Sequence, residues 1–161
     1  MLPSLAYMAL PAQEDMNKAD EYGRTPLMLA SGKGNEGLVN LMLSHGARVN
    51  DVDNSGYTAL MYASMHNRKG VMDQLLFRLP YPHMLDVADS YGKTALIHAA
   101  EYAANDAVKL LIQHGADVDM KDAEGNTAAF YAYRMNYTQI NMMLADARNI
   151  REQFNKLHYR W

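Results

Sequence analysis

Six histidines, His45, His66, His83, His98, His114 and His158, are the side chains of this 161-residue sequence best suited to acid–base work near neutral pH. None stands at metal-ligand spacing from another, and zero cysteines remove thiolate ligands, cysteine nucleophiles and disulfides together. His45 and His114 each precede a glycine in "HGA", at the end of an apolar helical run, where an imidazole interacts favourably with the helix C-terminus. His98 falls inside a predicted helix and is expected to be a satisfied interhelical group. The other candidates are carboxylates. Asp20, Asp53, Asp89 and Asp122 recur in "DEYG", "DNSG", "DSYG" and "DAEG". That is turn chemistry rather than an acid paired with a base, because Asp bonds forward to the backbone and glycine accepts positive φ. Neither a phosphate-cradling glycine loop nor a Gly-x-Ser-x-Gly elbow occurs. No enzymatic activity, metal or cofactor is expected.

The same residues reveal the elements that carry them. Asn17, Asn50, Asp86 and Asp119 fall in register at steps of 33, 36 and 33 residues. Three residues after each comes the turn aspartate, three later again Gly23, Gly56, Gly92 and Gly125, and two after those Thr25, Thr58, Thr94 and Thr127. Threonine there is a helix N-cap, and Pro26 takes the first helical position, where a missing N–H costs nothing. Leu27 with Ala30, Leu60 with Ala63 and Leu96 with Ala99 give the apolar spacing of a short first helix. After a break at "KGN", "HNR", "YAA" or "MNY", a second helix carries "GLVNLML", "GVMDQLL", "AVKLLI" or "QINMML". Gly46 and Gly115 are left-handed stops for two of these. One such unit cannot bury its own apolar face, so units of this period must stack on one another.

The stretches "GRTPLMLA" with "GNEGLVNLMLSHGARVN", and "GKTALIHAA" with "AVKLLIQHGADVD", resemble the ankyrin repeat over about residues 14–148. The resemblance implies an all-α solenoid in which turn fingers and first helices form a concave face and second helices form the back. On that reading residues 1–18 are a partial N-terminal repeat. Residues 19–51, 52–87, 88–120 and 121–148 are four repeats, and 149–161 is a C-terminal capping helix. The chain is expected to begin inside a repeat, with only its second helix, either as a natural half-repeat cap or as a cut from a longer array or a processed precursor. The family's histidine after "TPL" is replaced by Met28, Met61, Ile97 and Phe130, which exchanges a polar inter-repeat ladder for apolar packing. The fourth unit lacks the closing glycine and is the most degenerate, as a terminal unit would be. Ile150, Phe154, Leu157 and Trp161 make an apolar stripe, expected to fold back over the last repeat or else to meet a partner.

Residues 79–81 stretch one period to 36, and Pro80 and Pro82 end a helix where the other units use glycine. A tolerated loop is the leading reading, since added loop length costs little; a contact loop bearing Tyr81 and His83 is the alternative. Composition sets the remaining bounds. With 49% hydrophobic and 20% charged residues the chain is globular, and the 13 methionines are expected to fill core gaps. A net charge of −3 argues against nucleic acid, and no apolar run is long enough for a membrane span. The absence of cysteine fits a cytoplasmic location, with an exported, processed form left open.

What remains for function is surface aromatic and basic content. Tyr22, Tyr57 and Tyr91 flank the turn glycines, Tyr102 ends a first helix, and Arg24, Lys33, His66, Lys93 and Arg134 occupy further positions a concave face exposes. Tyr and Arg desolvate large rigid areas while keeping polar handles, so interfaces favour them. The expectation is a non-catalytic module, monomeric alone, that binds a partner protein through these residues and Tyr81. Alternatives are a small inhibitor or immunity-type regulator of one enzyme, and the ankyrin segment of a larger enzyme or channel.

Overall fold

The computed structural model describes residues 15–79 and 82–158, and among these residues the chain forms eight α-helices and no sheet beyond one isolated bridge between Val52 and Thr58. First helices α1 (Pro26–Lys33), α3 (Ala59–Met65), α5 (Ala95–Glu101) and α7 (Ala128–Arg134) alternate with second helices α2 (Glu36–Ser44), α4 (Lys69–Arg78), α6 (Asn105–Gln113) and α8 (Thr138–His158). Successive first helices stack on one another, and each second helix packs behind its own first helix. This all-α solenoid is the one the repeat spacing requires.

Each first helix starts for one chemical reason. The hydroxyls of Thr25, Thr58, Thr94 and Thr127 accept from the backbone N–H groups of Met28, Met61, Ile97 and Phe130, three residues on, at 3.4, 3.2, 3.3 and 3.4 Å. Each ends on one left-handed residue, Gly34, Asn67, Ala103 or Asn136, which redirects the chain into the second helix. The core is a continuous line of buried side chains. Leu27, Leu60 and Leu96 fill one column, Met28, Met61 and Ile97 the next, and Val39, Met72 and Val108 the layer behind. The residues that replace the family histidine are thus buried between repeats, except Phe130, which is exposed on the last one.

The fourth repeat changes several of these columns. Ala129 stands where the others have leucine, Asn141 where they have valine or methionine, and Ala145 where they have Leu43, Leu76 and Ile112. These places are less apolar than their equivalents in the inner repeats, while Phe130 and Tyr133 of the same repeat are exposed.

One expectation is corrected here. Residues 149–161 do not begin a separate helix that folds back over the last repeat: α8 runs unbroken for 21 residues from Thr138 to His158. "LADARNIREQ" contains neither glycine nor proline, so the missing closing glycine, rather than marking a terminus, lets the helix continue. Its last turns lean toward the preceding repeat, where Arg151 bonds Asp117 and Arg148 reaches Asp119 at 3.2 Å. At the insertion the helix ends where the prolines were expected to end it. Helix α4 ends at Leu79 in an extended conformation, and a short 3-10 turn, Pro82–Asp86, re-enters the core through buried Leu85. Tyr81 and Trp161 lie outside the described residues.

The finger glycines separate two causes of conservation of shape. Gly92 has φ +75°, and a Cβ there would stand 2.7 Å from the backbone nitrogen of Ala123 in the next finger. Gly125 has φ +84° and open space around it. Gly125→Ala is expected to cost only the left-handed strain, about 1 kcal/mol. Gly92→Ala must also push two fingers apart, so its loss of stability in urea denaturation should be larger by at least about 1 kcal/mol. Equal losses would show that the fingers are not in contact.

Candidate partner-binding face

Every finger is folded around one carboxylate. The Oδ1 atoms of Asp20, Asp53, Asp89 and Asp122 each accept the backbone N–H groups two and four residues on, at 2.8–3.0 Å. In three repeats Oδ2 then takes a side chain nine residues on, from the first helix. Tyr62 Oη donates to Asp53 at 2.7 Å, His98 Nε2 to Asp89 at 2.8 Å, and Tyr131 Oη to Asp122. Leu29 holds that place in the first repeat, and there Arg24 closes on Asp20 instead, with Nε at 2.9 Å and a second guanidinium nitrogen at 2.8 Å. Asp53, Asp89 and Asp122 are buried, a placement that is tolerable only with this full set of donors.

The fingers are joined to one another by backbone. Asn54 N–H donates to the Tyr22 carbonyl at 3.0 Å, Ser90 to Ser55 at 2.9 Å, and Ala123 to Tyr91 at 2.9 Å. On this frame the expected site residues form a band of rings and cations across four repeats. The Arg24 guanidinium lies 4.8 Å from the Tyr22 ring centre. Tyr57 packs 5.7 Å from Tyr62 and 5.1 Å from His98. Lys93 lies over Tyr131 at 4.6 Å while bonding Glu101 at 2.7 Å, and Arg134 covers Tyr131 and Phe130 at 5.4 and 5.7 Å. Burial pushes the Lys93 ammonium down, but Glu101 and Tyr131 more than offset it, so Lys93 is firmly charged.

Of the tyrosines expected at the site, Tyr22, Tyr91 and Tyr102 are exposed, by 59%, 63% and 55%. Tyr57 is not one of them. Counted from the turn aspartate, Tyr22 and Tyr91 stand at the second residue, with Ser55 and Glu124, whereas Tyr57 stands at the fourth, in the column of Arg24 and Lys93. Its ring turns inward, is half-buried on Tyr62 and His98, and has its hydroxyl pushed up chiefly by that burial. The row of three tyrosines expected from sequence is therefore two tyrosines separated by Ser55. Lys33 and His66 are exposed at the ends of α1 and α3, where His66 Nδ1 caps the Tyr62 carbonyl at 3.0 Å. His66 thus meets the band at the backbone of Tyr62. Tyr62, Phe130 and Tyr131 belong to the band and are missing from the sequence-based set; for Tyr62 and Tyr131 the signal was a polar residue four places after the capping threonine, present in three of the four repeats.

His98 is a buried imidazole in this face. Only a carboxylate faces its Nε2, so that nitrogen carries the proton, and Nδ1 is buried with no partner. Burial lowers its pKa, with the Asp89 bond opposing, so the unfolded chain binds a proton that the folded chain resists. Stability from this group is present above the ordinary histidine pKa and lost as pH falls below it. Asp86, raised by burial, acts in the opposite sense and near the carboxylate range. Melting temperature is expected to fall between pH 7.5 and 5.5, and to fall less in His98→Tyr, which installs the residue used by the second and fourth repeats. Identical falls in both proteins would contradict this role.

The chain matches the family model for ankyrin repeats (3 copies) over residues 2–83 and 70–153. It is 34% identical to inversin of Canis lupus familiaris over 123 residues, 76% of this chain and 11% of inversin. It is 33% identical to the putative ankyrin repeat protein YahD of Escherichia coli strain K12 over 116 residues, 70% of this chain and 58% of YahD. It is also 37% identical to human transient receptor potential cation channel subfamily A member 1 over 127 residues, 79% of this chain and 11% of the channel. The chain thus spans about a tenth of the first and third of these relatives and over half of the second. Repeats of this kind generally mediate protein–protein interaction and are generally non-catalytic. The register of turn, cap, helix and stop, and the match across nearly its whole length, show that this chain belongs to the ankyrin-repeat family.

Proposed function

We propose that this protein is a non-catalytic binding module that takes a partner protein along its fingertips and the ends of its first helices. The observation that carries the proposal is the set of ring and cation contacts found in all four repeats, with Tyr22, Tyr91 and Tyr102 left exposed beside it. An aromatic ring already fixed by its neighbours loses little freedom when a partner covers it, and such rings make binding anchors. Lys93 and Arg24 are held against acids of the same face, so they offer directional donors rather than bare charge. The reading as non-catalytic is supported by the commitment of the buried aspartates and His98 to holding the fingers.

A second reading is favoured by the lengths of the relatives: the module serves as the recognition segment of a larger protein, as so much of inversin and of the channel lies beyond the matched region. Among the described residues no helix is long and apolar enough to cross a membrane.

The sharpest test separates anchors from supports. Tyr91→Ala and Tyr102→Ala should weaken binding of a captured partner at least about tenfold, the scale of a buried aromatic anchor, with little change in melting temperature. Tyr57→Ala should do the reverse, lowering the melting temperature through lost ring packing. Asn40→Ala and Lys109→Ala, on the back helices, should change neither. Calorimetry on the five proteins reads all of this, and damage confined to the back-helix variants would place recognition on the other face.

A further inference from the structure

The end of the solenoid departs from its interior in the places that face forward along the stack. Leu27, Leu60 and Leu96, Met28, Met61 and Ile97, and Ser31, Ser64 and Ala100 are all buried, whereas their equivalents Ala129, Phe130 and Tyr133 are exposed. On the second helix, Ala145 is exposed in the column of Leu43, Leu76 and Ile112. Volume has moved within this face. Two places for large aliphatic side chains have shrunk to alanine, while a place kept for serine or alanine has grown to a tyrosine, 77% exposed. The outcome is a ring beside a trough of about 430 Å³, which Tyr133 lines with Thr127, Ala129, Leu144, Ala145 and Arg148. A further repeat stacked in register would drive its first helix into the Tyr133 ring. The period also puts the next turn glycine and capping threonine at positions 158 and 160, which hold His158 and Arg160.

We propose that this face pairs with the same face of a second copy of the chain, about a two-fold axis normal to it, so that each Tyr133 ring enters the other copy's trough. Shape favours a second copy over another occupant, because ring and trough share one face and self-pairing fills both at once. Topology gives the register. Thr127 and Ala129, at the start of α7, stand beside Ala145 and Arg148, while Tyr133, further along α7, lies toward Asn141 on the returning α8. A central two-fold exchanges diagonal corners, so Tyr133 meets Ala145 and Arg148 of the other copy, and Asn141 meets Ala129. Arg148 is held by Asp119 at 3.2 Å with its side chain 62% exposed, and it offers its guanidinium to the incoming ring. The face is one helix of seven residues and the neighbouring turns of α8, so the contact is smaller than a standard interface. The dimer should form with a dissociation constant on the order of tens of micromolar. This departs from the monomer expected from the sequence.

Sedimentation equilibrium of the full chain tests it. The weight-average mass should rise from 18.1 kDa toward twice that value as concentration increases from about 5 to about 500 µM. Two variants install residues of the inner repeats at exposed places, so circular dichroism should show the helices intact in both. Tyr133→Ser removes the ring, and Ala145→Leu fills the trough while making the face more apolar. Each should weaken association at least about tenfold. A wild-type mass fixed at 18.1 kDa throughout overturns the proposal, including where another part of the chain or a different protein covers this face. Association that Tyr133→Ser leaves unchanged overturns it as well. So does association that Ala145→Leu strengthens, because apolar contact alone would then hold the copies together without a ring in a trough.

Discussion

The rest of the molecule depends on how a finger of about seven residues, too short for any core of its own, is held in one shape. The turn carboxylate supplies the answer. One oxygen takes two backbone N–H groups of its own turn, and the other takes a hydroxyl or imidazole from the first helix. A buried carboxylate left unpaired would be very costly, so the turn, the helix and the side chain nine residues on form together or not at all. The shape so fixed presents a carbonyl to one neighbouring finger and an N–H to the other, and the repeats come into register without a sheet. The tightness of that register shows at Gly56 and Gly92, where a single added carbon would reach within 2.9 and 2.7 Å of the next backbone.

Function follows from the same constraint. Rings at the second residue of a turn stand outside the carboxylate's grip and are exposed, as with Tyr22 and Tyr91. A ring at the fourth residue, as with Tyr57, lies over the bonds the carboxylate makes and shields them. Lys93 occupies that same position one repeat later and joins its finger to Tyr131 of the next. Alternation of shielding and exposed positions separates the supporting rings from the exposed ones proposed as anchors. His98 gives this frame a dependence on acidity that the tyrosines at the same position lack.

Most of the architecture was legible in the sequence because it repeats: four columns in phase state turn, cap and helix independently of any one residue. The site was less legible. Tyr22, Arg24, Lys93, Tyr91, Tyr102 and Arg134 could be named from their place in the repeat, yet the position of Tyr57 two residues along the turn, which sends its ring inward, was overlooked. The partners of the turn aspartates escaped notice because a bond to the residue nine places on is set by where the helix begins, not by a local motif. The continuity of α8 was written in the absence of glycine between Leu144 and Gln153, read instead as degeneracy.

The central claim is that fingers and helices form one cooperative frame, so that the binding face is as rigid as the core. Native-state hydrogen exchange of single amides tests it most directly. The amides of Asn54, Ser90 and Ala123 donate between fingers, and Glu21 is the equivalent group on the first finger, with no neighbouring finger among the described residues. If the frame is cooperative, Ser90 and Ala123 should open with the same free energy as the core amide of Val108, while Glu21 exchanges freely. Exchange of Ser90 and Ala123 at the rate of Glu21 would mean that the fingers open alone, and that the face they carry is not the rigid surface described.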